Sequence, residues 1–141
     1  NTGSGSLILK FSPQGDLLWY QQVDCGGLIK LHMTVDGLGN VFVGREFWQD
    51  IDSLRIYQGP IVAPPGNINS RGLILYYYTE GQYLWHEVLG DKFGHAIRQM
   101  KMLNQEKLIL SATVGVNSKI GDTIVYARWA ADHFIAQMDG C

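Results

Sequence analysis

The residue types that most often carry catalysis or bind metals are few in this chain and widely spaced. The histidines show no His-Glu-x-x-His or other close ligand spacing; they are His32, His86, His95 and His133. The two cysteines, Cys25 and Cys141, lack the Cys-x-x-Cys spacing of a zinc site, and either one disulfide or two unpaired thiols fits them. We therefore predict no metal site.

Acidic residues and glycine motifs add no catalytic centre. Asp50 and Asp52 form an Asp-x-Asp near Glu46, but calcium takes about 6–8 oxygen ligands, and no third Asp follows at loop spacing. The sequence holds no Gly-x-Ser-x-Gly elbow, phosphate-binding glycine loop or dinucleotide fingerprint. These observations predict a protein that is not an enzyme and that needs no cofactor.

Aromatic residues near predicted turns are the remaining candidates for ligand contacts. Trp48 lies near a turn, Trp129 precedes the connection at 130–132, and Tyr57 and Tyr126 lie nearby. Aromatic rings on the rim of a domain are what a glycan or a protein partner meets. We predict these four residues as ligand-binding, with packing inside the domain as the alternative.

Composition limits the class of protein and its partners. The 141 residues are 46% hydrophobic and 17% charged, with a formal net charge of −2 at pH 7, which fits one globular domain over 1–141. No basic stripe exists for phosphate groups, and no apolar run approaches the roughly 20 residues that span a bilayer. We expect no nucleic-acid partner and no membrane span, and we interpret the chain, which lacks an initiator Met, as a piece of a longer protein.

The elements that position these residues are indicated by an internal repeat. The segments 6–19 and 72–85 align without a gap at an offset of 66 residues (85 − 19). The shared residues are Leu7, Ile8, Leu9, Gly15, Leu18 and Trp19, which recur as Leu73, Ile74, Leu75, Gly81, Leu84 and Trp85. Such self-similarity predicts a repeat architecture, in which both Gly15 and Gly81 form turns. Trp19 and Trp85 are expected to pack between repeats, with sugar stacking as the alternative.

The match continues through the rest of each copy. Residues 41–43 align with 108–110, and Met33 and Val35 align with Met100 and Met102. A third copy begins at Phe134, whose segment resembles 7–11. We divide the chain into repeats at about 6–71 and 72–132, with a third repeat begun at 133–141.

Each repeat is predicted to consist of short strands and turns. Period-two alternation over 29–35 and the Gly and Asn residues of 36–40 indicate strand and turn, respectively. The apolar spacing over 97–108 also permits a helix, but its alignment with 30–41 favours strand, turn and strand. The proline-rich segment 59–70 is predicted to be a loop. We expect strands at about 7–11, 17–23, 29–35, 41–47, 53–57, 72–78, 83–89, 96–102, 108–114, 123–129 and 133–138.

Three segments resemble the SBBP-type β-propeller repeats of bacteria. The first hairpin of that family is similar to Leu7-Ile-Leu-Lys-Phe-Ser-Pro-Gln-Gly-Asp-Leu-Leu-Trp19, and again to Phe134-Ile-Ala-Gln-Met-Asp139. The family's Asp-x-x-Gly-Asn element is similar to Val35-Asp-Gly-Leu-Gly-Asn-Val-Phe-Val43, while Ser12 and Thr79 stand where the family has Asp. The resemblance implies four-stranded antiparallel blades in large extracellular or cell-surface proteins.

The predicted fold is therefore all-β, with tandem four-stranded antiparallel β-propeller-type blades, about two blades plus part of a third. Propellers usually close with about 4–8 blades, so this number leaves open strand edges. The chain is part of a longer ring, or is completed by copies of itself, or forms another compact or filamentous β arrangement. The hairpin 7–23 is suited to complete a blade begun by 96–114, in the same molecule or the next.

The function we expect is a non-enzymatic scaffold or interaction module, secreted or at the cell surface. Open β edges would contact a protein partner or another copy of the chain. A carbohydrate-binding propeller that uses the rim aromatics is the first alternative. The propeller portion of a larger secreted enzyme is the second, because fold class does not decide among these functions.

Overall fold

The structure, a computed structural model, describes residues 5–24, 31–48, 54–56, 61–62, 70–89, 96–115, 118–120, 123–125 and 132–139. Within these residues the fold is all-β, and the strands pair antiparallel. The strands β1 to β13 are, in order, Gly5–Phe11, Leu17–Asp24, Leu31–Val35, Val41–Trp48, Leu54–Ile56, Ile61–Val62, Ser70–Tyr77, Tyr83–Leu89, Ala96–Met102, Lys107–Val114, Ser118–Ile120, Thr123–Val125 and Asp132–Asp139.

The strands form four sheets in this part of the chain. Their orders are β1-β2-β5-β6, β3-β4-β7-β8, β9-β10-β13 and the pair β11-β12. The all-β prediction is confirmed, and β9 and β10 confirm the choice of strand, turn and strand over a helix at 97–108. The prediction of a loop over 59–70 is wrong at Ile61–Val62, which is β-prone and pairs with β5, and at Ser70, which begins β7. The short strand β11 was not predicted.

Three hairpins are closed by the same turn. In the first turn, the Gly15 N–H donates to the Ser12 carbonyl at 3.0 Å, and the Ser12 N–H donates to the Asp16 carbonyl at 2.8 Å. The same pair of bonds closes the turns 36–40 and 78–82. Each turn has a glycine with a positive φ, because a side chain is strained in that conformation; these are Gly15 (93°), Gly39 (86°) and Gly81 (84°).

The hairpins β1–β2 and β7–β8 have the same strand register. Lys10 lies opposite Trp19 in the first hairpin, and Tyr76 lies opposite Trp85 in the second. In both hairpins the register shifts by one residue immediately after that pair. The residues that align in the sequence therefore occupy equivalent positions in the two hairpins, and β1 is equivalent to β7.

The hairpins β3–β4 and β9–β10 are equivalent in the same way. Met33 pairs with Val43, and Met100 pairs with Leu110. Each second strand continues into a further antiparallel pairing, β4 with β7 and β10 with β13. The strand beside β10 in this molecule is thus β13, and the hairpin 7–23 does not complete this sheet within the same chain.

Three sheets are stacked face to face, with β3-β4-β7-β8 in the centre; we call it the central sheet. One of its faces packs against the hairpin β1–β2, through a cluster that includes Ile8, Val43 and Leu75. The other face packs against the sheet β9-β10-β13, through a cluster that includes Ile74 and Leu110. Because it is covered on both faces, the central sheet forms the core of the structure.

The hydroxyl of Tyr77 is buried in this core and has no hydrogen-bond partner among the described residues. Burial, assisted by the charge of the neighbouring Tyr83, raises the pKa of the Tyr77 phenol well above its ordinary value. The pKa of the Tyr83 phenol is also raised by burial. The core therefore holds Tyr77 in its neutral form.

Tyr77→Phe is expected to reduce the fall in the free energy of unfolding at alkaline pH. Above about pH 10 the unfolded chain loses the phenol proton while the folded chain retains it, so the free energy of unfolding falls by about 1.4 kcal/mol per pH unit. The variant lacks this contribution, and it should match the wild type at neutral pH because the hydroxyl has no described partner. Urea unfolding at several pH values measures both effects, and an unchanged alkaline loss would contradict the buried position of Tyr77.

Gly15→Ala and Gly81→Ala form a matched pair that tests the packing of the turns. Both variants place alanine in a left-handed backbone, which costs about 1–2 kcal/mol. Only at Gly81 would the added methyl also meet a ring, 2.7 Å from Cδ2 of Trp19. Urea unfolding should show a loss of about 1–2 kcal/mol for Gly15→Ala and roughly 2–5 kcal/mol for Gly81→Ala. Equal losses would exclude the contact between Trp19 and Gly81.

Candidate interaction surface

The outward side of the hairpin β1–β2 is an exposed apolar surface. Ile8 points towards the central sheet and is buried, whereas its neighbours on β1 point outwards because successive side chains of a strand alternate. Six large apolar residues on this side are 43–56% exposed: Leu7, Leu9, Phe11, Leu17, Leu18 and Tyr20. We call them the hairpin face. Contiguous apolar surface of this kind marks interaction sites in soluble proteins.

The equivalent residues of the central sheet are buried. Leu73, Leu75 and Tyr77 of β7 correspond to the first three residues of the hairpin face, and they are covered by the hairpin β1–β2. The hairpin face therefore carries the side chains of an internal sheet. In the described part of the chain, no further sheet covers it.

Hydrogen bonds to Thr79 fix the hairpin β1–β2 on the central sheet. The Lys10 Nζ donates to Oγ1 of Thr79 at 2.6 Å, to its carbonyl at 2.7 Å and to the Gly39 carbonyl at 3.3 Å. The indole N–H of Trp19 donates to the same Thr79 carbonyl at 2.8 Å. Lys10 also lies 5.9 Å from the centre of the Trp19 ring, close enough for a cation–π contact.

Further hydrogen bonds tie neighbouring turns to this point. The Thr79 N–H donates to Oδ1 of Asn40 at 3.0 Å, and Nε2 of Gln21 donates to the Gly81 carbonyl at 2.6 Å. We call this network, together with the bonds of Lys10 and Trp19 to Thr79, the turn clamp. It joins three hairpins and holds β1–β2 in a defined orientation, so the hairpin face is presented rigidly.

The outer edge of β1 is open. Among the described residues β1 pairs with β2 alone, whereas the equivalent strand β7 pairs with β8 on one side and β4 on the other. A strand edge of this kind presents backbone N–H and C=O groups to an incoming strand.

A second apolar surface lies on β3. Met33 and Val35 are both 53% exposed, on the face of the central sheet that β1–β2 partly covers. Their equivalents in β9, Met100 and Met102, pack against the central sheet instead. We call Met33 and Val35 the β3 shelf. Both the shelf and the hairpin face are exposed where their equivalents are packed.

The predicted ligand-binding aromatics are only partly placed. Trp48 ends β4, where its backbone lies opposite Ser70. The side chain of Trp48, and all of Tyr57, Tyr126 and Trp129, lie outside the described residues. Their role in binding stays a prediction.

The two repeated tryptophans are half-buried between sheets. The ring of Trp19 lies beside Gly81, and that of Trp85 lies against Phe42 and Tyr76, with centroid distances of 6.4 and 5.6 Å. The indole N–H of Trp85 is buried and has no partner in the described ranges, unlike that of Trp19.

The hairpin face was not predicted as a site. Its signal was the segment 7–11, in which Leu7, Leu9 and Phe11 point to one side and Ile8 points to the other. A strand that is apolar on both sides is typical of a sheet covered on both faces. The sequence of β1 therefore indicates that a layer should cover its outward side as well as its inward side.

Comparisons with other proteins do not assign this chain to a family, since no family model, curated protein or solved structure matches it.

In the described part of the chain, no three His, Cys, Asp or Glu side chains form a group suited to a metal ion. His86 and Tyr83 form a close pair, with Nδ1 and the hydroxyl oxygen 2.6 Å apart. No helix long and apolar enough to cross a membrane occurs in the same ranges.

Ile8→Ala and Leu9→Ala test which side of β1 faces outwards. Ile8 is 2% exposed, and its truncation leaves a cavity against the central sheet, so we expect a loss of about 2–5 kcal/mol. Leu9 is 43% exposed, and its truncation should cost about 1 kcal/mol or less. Urea unfolding of the two variants measures both losses. A larger loss for Leu9→Ala than for Ile8→Ala would mean that Leu9, and not Ile8, faces the central sheet.

Proposed function

We propose that this protein is a non-enzymatic interaction module that binds a protein partner through the open edge of β1 and the adjoining hairpin face. One observation carries the proposal: among the described residues, no strand pairs with β1 on the side where its equivalent, β7, is paired with β4. The edge offers hydrogen bonds and the alternate side chains offer selectivity, which are the two parts of recognition by strand addition.

The pairing of β7 with β4 defines the strand that fits β1. Val43 lies opposite Leu75, and Val41 lies opposite Tyr77. A partner strand in the equivalent register would run antiparallel to β1, with apolar side chains opposite Leu9 and Phe11. The partner is thus a β-strand or hairpin that is apolar on the side it shares with the hairpin face.

The stacked sheets are proposed to be propeller-type blades of an extracellular or cell-surface protein. The central sheet supports this interpretation, because it has the four antiparallel strands of one blade and is stacked face to face with its neighbours. The resemblance of segments 7–19 and 35–43 to SBBP-type repeats supports it independently and is the basis for placing the protein outside the cell. In this proposal rigid sheets form a scaffold, and their edges make the contacts.

A synthetic hairpin of residues 31–48 is the probe that tests strand addition. It contains β3 and β4, which pair with β7 in the central sheet, so it should add to the equivalent edge of β1. Fluorescence anisotropy of the labelled peptide should show saturable binding. Leu9→Lys/Phe11→Lys should weaken binding about tenfold, because two apolar cross-strand contacts are lost.

Two controls separate strand addition from nonspecific adsorption. Leu103→Lys makes the same change at an exposed leucine in the turn between β9 and β10, and it should leave peptide binding unchanged. A peptide with Val43→Pro should not bind, because proline cannot donate to a ladder. Equal binding by all variants would overturn the proposal. Glycan-array binding without peptide binding would instead favour the carbohydrate-binding alternative.

A further inference from the structure

We infer that the partner is a second copy of this chain, and that β1 of one copy pairs with β10 of the other in the place that β13 occupies in the single molecule. The donor copy supplies the hairpin β1–β2, and the acceptor copy supplies β9–β10. The inference rests on the proposed function and names the occupant of the open edge.

The acceptor strand already pairs with a strand of the same type. β10 pairs with β13, and Leu110 lies opposite Ala136. The segment 134–138 aligns with 7–11, and the equivalent strand β7 pairs in the same way with β4. In this register Leu9 of the donor copy would lie opposite Leu110, and Lys10 opposite Ile109. The strand β2 would follow as a fourth strand, as β8 follows β7 in the central sheet, and the short strands β5 and β6 would continue the sheet beyond it.

The hairpin face would be buried by this exchange. In the single molecule Phe134, Ala136 and Met138 of β13 pack against the central sheet. Their equivalents in β1 are the first three residues of the hairpin face, Leu7, Leu9 and Phe11. These three would take the same places against the acceptor's central sheet, while Ile8 would remain packed in the donor copy.

The β3 shelf would also be covered. Within the chain Met100 packs over Gly44, where a β-carbon would collide with its sulfur. Met33 is equivalent to Met100, and Ser111 of β10 is equivalent to Gly44. On the outer side of the sheet β9-β10-β13, a hollow lies at Ser111 and is lined also by Gln99, Met100, Lys101, Ile109 and Ile135. Just as Met100 packs over Gly44, Met33 of the donor copy would pack over Ser111 of the acceptor copy and enter this hollow.

The orphan indole of Trp85 would gain an acceptor. Trp19 covers Gly81 and donates to the Thr79 carbonyl, whereas Trp85 is buried without a described partner. The residue equivalent to Thr79 in the first turn is Pro13, and no atom of the described residues lies within 4 Å of the position that a β-carbon would take on Gly15. Trp85 of the acceptor copy would cover Gly15 of the donor copy and donate to its Pro13 carbonyl.

One pair of substitutions between the repeats matches this junction. Within the chain, Oδ1 of Asn40 accepts the N–H of Thr79. At the equivalent positions of the proposed junction, Lys107 replaces the asparagine and Pro13 replaces the threonine. Lysine offers no acceptor, and proline has no N–H that needs one. Both sides of the contact have therefore changed together, and no amide donor is left unsatisfied.

A mixed disulfide tests the pairing directly. Leu7→Cys and Ala112→Cys, which lie opposite each other in the same register and outside the turn clamp, are made in separate chains, each with Cys25→Ser/Cys141→Ser, and the purified variants are mixed and oxidised. Opposed residues on antiparallel strands lie within disulfide reach. Non-reducing electrophoresis and mass spectrometry should show a covalent dimer with one chain of each variant. Either variant alone should give no comparable covalent dimer.

A locked variant tests whether β13 must leave β10. Ile109→Cys/Gln137→Cys in the same serine background joins opposed residues of β10 and β13 within one chain. The oxidised variant should have the mass of a single chain in size-exclusion chromatography with light scattering. The same sample after reduction should assemble with increasing concentration, as the wild type does.

The outcomes distinguish this inference from the proposed function. The inference would be overturned, and the function left in place, if the wild-type chain stays monomeric and still binds the 31–48 peptide while the two cysteine variants form no mixed disulfide. Loss of peptide binding as well would overturn both. An oxidised locked variant that assembles as the wild type does would also overturn the inference.

Discussion

The burial of β4 and β7 on both faces is the constraint on which the rest of the structure depends. Residues 41–45 and 72–77 are buried throughout, so neither face of these strands can form an outer surface. Arg45 lies fully inside, and its Nη1 donates to the Ser6 hydroxyl of the hairpin β1–β2 at 3.2 Å. The central sheet therefore requires a layer on each side, and each layer brings an outer face of its own.

The two outer layers differ in the residues that they expose on their outward faces. On the sheet β9-β10-β13 the outward positions include the exposed polar residues Gln99, Lys101 and Gln137, together with Ile135, which is 79% exposed. On the hairpin β1–β2 they include Leu9 and Phe11. Polar residues are suited to permanent contact with water, whereas clustered apolar side chains are the mark of a binding surface. The hairpin face is thus the more apolar of the two outer faces, and the mixed face of β9-β10-β13 is the one that the inferred pairing places against the β3 shelf of another copy.

The internal repeat made the hairpins predictable but left their assembly open. Turn residues such as Gly15 and Gly81 are local signals of the hairpins, whereas strand, turn and strand over 97–108 was predicted from its alignment with 30–41. The pairing of β4 with β7 joins segments from different repeats, and no local pattern selects it. The hairpin face was missed because exposure depends on which layers are present, and Leu7 and Leu73 are identical residues in different layers.

The position of Lys10 argues that the open edge is functional. Proteins commonly protect edge strands with a lysine whose charge opposes the approach of another strand. Lys10 is the single charged residue of β1, but its ammonium group is turned inwards to Thr79 and Gly39, where it joins the hairpins. Lys10, the one side chain of β1 whose charge could protect the edge, instead helps to hold β1 in position. β1 is apolar and held rigidly, and nothing in the described part of the chain protects its edge, so it has the properties that docking needs.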